Sequence, residues 1–245
     1  MLNKLKNQFS KFPDKADLYE KHLDYKLQIF TKESIAKNNP DLIPIISLLN
    51  SLSFDFKQPS THSEIEDKLK LTDLLILAIH HKTPVGMATY QILFCGEKKL
   101  IYQARGIIPE HQKTDLGKKF VQIAHYLCQP EIISARAQNP ISIWTTIKSG
   151  ILKKTYPIEI LYNQSPAMQK VLTDLIMQRG FSIKEVNPNT GLQKKAYKMG
   201  QLGNYNIDTK HPGVTMVENK LYEIGLDKNN GDAVYYMGET NTALL

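Results

Sequence analysis

Ile107-Ile108-Pro109-Glu110-His111-Gln112-Lys113-Thr114-Asp115-Leu116-Gly117 decides how this chain reads, because it joins an extended apolar segment to an amphipathic helix. Upstream, Leu100 to Ile107 is rich in apolar and β-branched residues and reads as a strand. Downstream, Leu116, Phe120, Ile123, Ala124 and Leu127 recur at helical spacing, so 116–127 is a helix with one apolar face. A strand-to-helix junction of this kind can turn several backbone N–H groups and the positive end of a helix toward one phosphate.

Working outward toward the N-terminus, Leu74 to Ile79 and Val85 to Phe94 read as strands joined through His80-His81-Lys82-Thr83-Pro84. The Gly96-Glu97-Lys98-Lys99 turn then leads into the strand at Leu100, and connections this short make the three strands antiparallel. Before them, Asp41 offers an N-cap to a helix carrying Leu42, Ile45, Ile46, Leu48, Leu49 and Leu52, with Pro44 in its first turn. Ser63 and Glu66 form a capping-box pattern ahead of Leu69 and Leu71, the mark of a second helix. Tyr25, Leu27 and Ile29 alternate as in a first strand, and residues 1–24 read as a polar N-terminal arm or short helix.

Toward the C-terminus, Ile132 to Ala137 reads as a strand and Pro140 to Lys148 as a helix opened by Asn139 and closed by Gly150. A strand following a helix in this way implies a parallel crossover. Ser165 to Arg179 reads as a further helix, flanked by strand candidates at Ile158 to Tyr162 and Phe181 to Val186. Residues 187–213 read as irregular, and Tyr222 to Leu226 with Ala233 to Met237 as a closing hairpin.

The junction resembles motif A of the GNAT N-acetyltransferase superfamily, V-x-P-x-x-(R/Q)-x-x-G-x-(G/A), with Ile107, Pro109, Gln112 and Gly117 at matching positions. Val85-Gly86-Met87-Ala88 is similar to the V-G-x-A of that family's preceding strand. Asn139, Lys148 and Gly150 fall on its N-x-x-A-x-x-x-Y-x-K-x-G-F segment. The resemblance implies an α/β fold of the α+β kind, with a mixed, mostly antiparallel central sheet flanked by helices and a C-terminal extension. It implies an acyl-CoA-binding core over 25–162, with 163–245 completing or extending the same domain. By the same resemblance, acetyl-CoA or another acyl-CoA is the co-substrate and a metal is not needed. Ile107 and Ile108 would contact the pantetheine arm through their main chain. Gln112, Lys113, Thr114, Asp115, Leu116, Gly117 and Lys118 would cradle the diphosphate, and Asn139 would meet the pantetheine or order the next helix. The acceptor would be an amine, a small molecule or a protein, in a pocket built from the first two helices, the Leu52 to His62 connection and the C-terminal hairpin.

Two departures bear on activity. Asp115 stands where the motif has its first glycine; Asp tolerates positive φ better than most residues, and its carboxylate either faces a diphosphate or caps the helix. Thr146 stands where the family has the tyrosine that protonates the departing thiolate, and a threonine hydroxyl is too weak an acid to replace it. The catalytic acid and base are therefore unassigned: Tyr156 and Tyr162 read as core or rim packing, with a replacement acid among Tyr102, Tyr156 and Tyr162 as the alternative, and His80 and His81 read as exposed turn residues, with a general base as the alternative. The alternative to an N-acyltransferase is a catalytically degenerate module that binds acyl-CoA or a protein partner.

Composition narrows the remaining classes. The 245 residues are 42% hydrophobic, enough for a buried core, and no apolar run approaches the roughly 18 residues of a membrane span. Cys95 and Cys128 lack metal-like spacing and fit a reducing, cytoplasmic compartment. The formal net charge of +7 is spread over scattered lysines without a basic-aromatic stripe, which argues against nucleic acid as the partner.

Overall fold

The computed structural model describes residues 16–54, 60–197 and 211–241. The chain forms two compact units, Met1–Gln91 with Gln103–Phe120, and Ile92–Tyr102 with Val121–Leu245. Strands β4 (Thr83–Cys95) and β5 (Lys98–Ile107) contribute residues to both.

In the first unit, β1 (Leu18–His22), β2 (Tyr25–Thr31), β3 (Leu74–His80), β4 and β5 are hydrogen-bonded in that order. β1 lies where an arm or short helix was expected, and it pairs antiparallel with β2 from Leu18↔Ile29 to His22↔Tyr25. Its mostly exposed, charged sequence gives no apolar alternation, as suits an edge strand. The β3–β4 turn is tighter than expected: His81 and Lys82 take φ of 46° and 66°, the positive values a two-residue hairpin turn requires.

Helix α1 (Lys32–Ser53) begins nine residues before the expected Asp41 cap. Ile35, Leu42, Ile46 and Leu49 form one buried stripe that packs on β2 and β3, and this burial outweighs the two missing donors of Pro40 and Pro44 inside the helix. Helix α2 (His62–Lys70) is capped by Thr61 rather than Ser63. Glu64 N–H donates to Thr61 Oγ1 at 3.2 Å and Thr61 N–H to Glu64 Oε2 at 2.8 Å. Two overlapping capping boxes exist in the sequence, and the earlier one starts the helix soon enough to bury Ile65 and Leu69 four residues apart.

In the second unit β6 (Ile132–Ala137) pairs parallel with β5, as the crossover implied, but only from Leu100↔Ile132 to Tyr102↔Ser134. β9 (Ala233–Thr240) pairs antiparallel with β6 on one side and β7 (Leu152–Tyr156) on the other, and the short β8 (Leu192–Gln193) also pairs with it. The expected C-terminal hairpin is absent among the described residues: Tyr222 lies in the last turn of helix α6 (Pro212–Glu223) and β9 finds its partners elsewhere. The expected strand at Ile158 to Tyr162 is a turn leading into a 3-10 segment, Tyr162–Gln164. The strand is instead β7, disguised because the edge position leaves Lys153 and Lys154 in solvent. Phe181 to Val186 likewise holds a 3-10 turn, Ile183–Glu185. Within 187–213, Lys198 to Lys210 lie outside the described residues, as do parts of the Leu52 to His62 connection.

β9 shows why the second unit needs helices on both faces. Tyr235 and Met237 join a core with Met168, Val171, Leu172, Leu175 and Ile176 of α5 (Pro166–Gln178), whereas Val234 and Tyr236 join a core with Ile143 of α4 (Pro140–Ile147) and Val217 and Leu221 of α6. Alternate residues of a strand point to opposite faces, so a strand apolar at successive positions from Ala233 to Met237 must be covered twice. The fold is thus a mixed α/β one, with a mostly antiparallel sheet flanked by helices.

Candidate functional site

The junction between β5 and α3 (Leu116–Cys128) lies in the first unit up to Phe120. Ile108 N–H donates to Val85 O at 3.0 Å, which ties the end of β5 to β4. Gly86 fits closely beside it: a Cβ there would lie 3.3 Å from Ile107 Cγ1 and 3.4 Å from Gly106 O, tight enough to press on β5. Pro109–His111 then form one 3-10 turn. Gln112 Nε2 returns to Ile107 O at 3.0 Å, and Thr114 Oγ1 donates to His111 O at 2.8 Å, so both side chains brace the loop's own backbone.

Lys113 and Asp115 take φ of 66° and 58°. Asp115 thus adopts the conformation expected of the glycine it replaces. Lys119 N–H donates to Asp115 O at 2.9 Å, the first helical bond of α3. The N–H groups of Leu116, Gly117 and Lys118 therefore precede the helical ladder, at the positive end of the helix. Leu116 is 1% exposed, with its side chain in the core; Lys113 and Asp115 are exposed and Lys118 half-buried. Arg105 Nη1 donates to Gly117 O at 2.9 Å and Lys119 pairs with Glu20, which holds the first turn from two sides.

Asn139 belongs to the second unit, where its side-chain oxygen accepts from Ile141 N–H at 2.9 Å as the N-cap of α4. Thr146 is fully buried on α4, with Oγ1 2.8 Å from the Tyr236 hydroxyl. The phenols considered as replacement acids have structural surroundings: Tyr156 donates to Glu239 Oε1 at 3.0 Å, and the fully buried Tyr162 donates to Tyr235 O at 3.0 Å. Burial pushes the Tyr162 phenol well above its usual range.

No protein-family model matches the chain, and no curated protein sequence matches it. Solved structures do. It is similar to a GNAT superfamily phosphinothricin acetyltransferase from Sinorhizobium meliloti in complex with AcCoA, at 12% identity over 89% of this chain and 90% of that one, with a TM-score of 0.46. It is also similar to the ribosomal-protein-S5-alanine acetyltransferase of Vibrio fischeri, at 9% identity over 92% and 98% of the two chains, TM-score 0.44. A third is the ribosomal-protein-S18-alanine N-acetyltransferase of Escherichia coli, at 12% identity over 53% and 80%, TM-score 0.40.

Sequence reasoning missed the groups packed around the loop. Tyr25 Oη is 3.0 Å from His111 Nδ1, and His22 Nε2 is 3.3 Å from Thr114 O. The His80 ring lies against His111, His81 and Tyr25, with centroids 4.8, 4.1 and 5.2 Å apart. His80 is therefore packed rather than an exposed turn residue. Burial lowers the His111 pKa, and the charge of His80 adds to the effect, with Glu110 opposing it. Residues this far apart in sequence carry no spacing signal; only the β1–β2–β3 pairing gathers them. Among the described residues no group of three or more His, Cys, Asp or Glu is placed to hold a metal ion, and no helix is long and apolar enough to cross a membrane.

Proposed function

We propose that this chain transfers an acetyl or other short acyl group from acyl-CoA to an amine. The observation that carries this reading is the start of α3, where the N–H groups of Leu116, Gly117 and Lys118 lie ahead of the helical ladder on a loop braced by Gln112 and Thr114. Lys113 and Lys118 add positive charge to a helix end that already favours an anion such as a diphosphate. Ile108 N–H is taken by Val85 O, so Ile107 and Ile108 would meet the pantetheine arm through the second lone pairs of their carbonyls, which already accept from Gln112 Nε2 and His111 N–H. Direct attack of an uncharged amine on the thioester needs mostly positioning and polarisation from the protein, and thiolate leaves readily because thiols are acidic compared with alcohols. Cys95 and Cys128, buried thiols outside any disulfide, support a reducing compartment, the cytoplasm.

Thermal shift and calorimetry with acetyl-CoA test this reading. Saturation at a hundredfold excess over Kd should stabilise the protein by about 2.7 kcal/mol. No stabilisation at millimolar acetyl-CoA would remove it. The burial of Thr146, with no phenol of its own, favours a second reading: a domain that binds acyl-CoA or a protein partner without turnover. Release of CoA in the presence of amines separates the two.

A further inference from the structure

The chain contains one Asn-Gly dipeptide, Asn230-Gly231, and it lies in the turn that leads from α6 into β9. Glycine has no Cβ to shield its backbone nitrogen, so after asparagine that nitrogen can reach the side-chain amide carbon. Attack of Gly231 N on Asn230 Cγ forms a C–N bond and closes a five-membered succinimide. The side-chain nitrogen leaves as ammonia, taking up the proton that Gly231 N gives away. Water then opens the ring to aspartate or isoaspartate, and no oxidant or cofactor enters the balance. Asn230 is exposed, so water reaches it.

The folded turn holds both nitrogens back. Gly231 N–H donates to Lys228 O at 3.0 Å, and Asn230 Nδ2 donates to Asp232 Oδ1 at 3.2 Å. A carboxylate can only accept, so the Asn230 amide must present its nitrogen there. Gly231 O accepts from Tyr197 N–H at 2.9 Å, which fixes the same peptide from its other side. The nucleophile must leave its hydrogen bond and the amide must turn away from Asp232 before the two can meet. Reaction therefore waits on local opening of the turn.

The product does not fit the turn that formed it. Asp232 is buried and accepts from Lys194 Nζ, from the N–H groups of Lys195 and Asp227, and from the Asn230 amide. Deamidation replaces the last of these donors with a second carboxylate, and like charges at hydrogen-bond distance repel. Isoaspartate also adds a methylene to the main chain. Ala233 follows at once and begins β9, the strand on which β6, β7 and β8 all pair.

We propose that Asn230 is a site of spontaneous deamidation that reacts when this turn opens, and that its product keeps the turn from closing as before. Modification at Asn230 thus marks chains whose second unit has opened. The acyl-transfer reading plays no part in this inference.

The test holds the full-length protein in mildly alkaline buffer at physiological temperature, with the same chain unfolded in urea as the reference. Isoaspartate is labelled with an isoaspartyl methyltransferase and placed by peptide mapping. In urea, Asn230 should be the first asparagine modified, and Asn230→Gln should remove that signal, a comparison that does not depend on folding. In the folded protein the same reaction should be slower by at least roughly tenfold, and urea below the unfolding midpoint should speed it. The modified protein, separated by ion exchange through its added negative charge, should melt at a lower temperature than the unmodified protein. Equal rates in the folded and unfolded chains, a different asparagine reacting first in urea, or a modified protein that melts like the unmodified one would overturn the proposal.

Discussion

The hydroxyl of Thr146 on α4 is 2.8 Å from the hydroxyl of Tyr236 on β9, and both residues are fully buried. Thr146 also reaches Ser142 O at 3.2 Å, so the pair ties the helix to the strand that runs under it. Its role is to satisfy two polar groups inside an apolar core. Tyr236→Phe should cost about 1 kcal/mol of stability and leave acyl transfer within roughly threefold of wild type. The rate should rise with pH as the acceptor amine loses its proton, with no descending limb from a phenol near pH 10. A descending limb that vanishes in Tyr236→Phe would instead make Tyr236 the acid that protonates the thiolate. Thr146→Tyr, attractive from sequence, should overpack this core by about 1–3 kcal/mol in denaturant unfolding.

Asp115 has positive φ and an exposed side chain next to the N–H groups assigned to the diphosphate. Asp115→Gly removes a like charge there and suits the backbone. Acetyl-CoA should bind a few-fold more tightly, and the gain should shrink as salt is raised. Unchanged affinity with a loss of about 1 kcal/mol would assign Asp115 to helix capping alone.

Asn139 is occupied by its bond to Ile141 N–H. Asn139→Ala should lower stability by about 1 kcal/mol. Acetyl-CoA affinity should not change; a weaker complex would give Asn139 the pantetheine contact that the family resemblance implies.

Burial lowers the His125 pKa, and burial with the His80 charge lowers that of His111. A histidine whose pKa is lower when folded binds more protons when unfolded. Stability should therefore be fully present above the ordinary histidine value of about 6.5 and fall as pH drops below it toward the folded values. Melting curves between pH 8 and 5 should show this slope, and His125→Gln with His111→Gln should flatten it.

Asp232 accepts from Lys194 Nζ at 2.7 Å, Lys195 N–H at 3.0 Å and Asp227 N–H at 3.1 Å, which closes the turn before β9. Burial opposes its charge, but these donors prevail and hold its pKa below the usual value. Asp232→Ala should cost about 1.5–3 kcal/mol, because it removes charge-assisted hydrogen bonds to a buried carboxylate. The wild-type contribution should be present above pH 4 and disappear as acid protonates the carboxylate.

What could be read from sequence depended on whether neighbouring residues carried the signal. The β5–α3 junction was legible because strand, turn and helix follow one another directly between Lys98 and Cys128 and each has its own periodicity. β7 was not, since Lys153 and Lys154 sit on a solvent edge where charge is favoured over alternation. α1 was half legible: two prolines suggest a late start, and only the burial of Ser34, Ile35 and Asn38 shows that the helix begins at Lys32. The members of the histidine group around the loop come from distant parts of the chain. No local pattern announces them.

The position of β9 between β6 and β7 has a consequence for biosynthesis. The first unit takes all its residues from before Val121, whereas the second lacks the strand that holds its sheet together until residues 233–240 have been made. On the ribosome the first unit can fold while β6 and β7 wait more than seventy residues for the partner they share. Such late, long-range pairing is slow and leaves apolar strand edges open in the interval. Nascent chains stalled before Ala233 should accordingly be cut by protease in the second unit and need chaperone protection there, and chains that include Thr240 should resist.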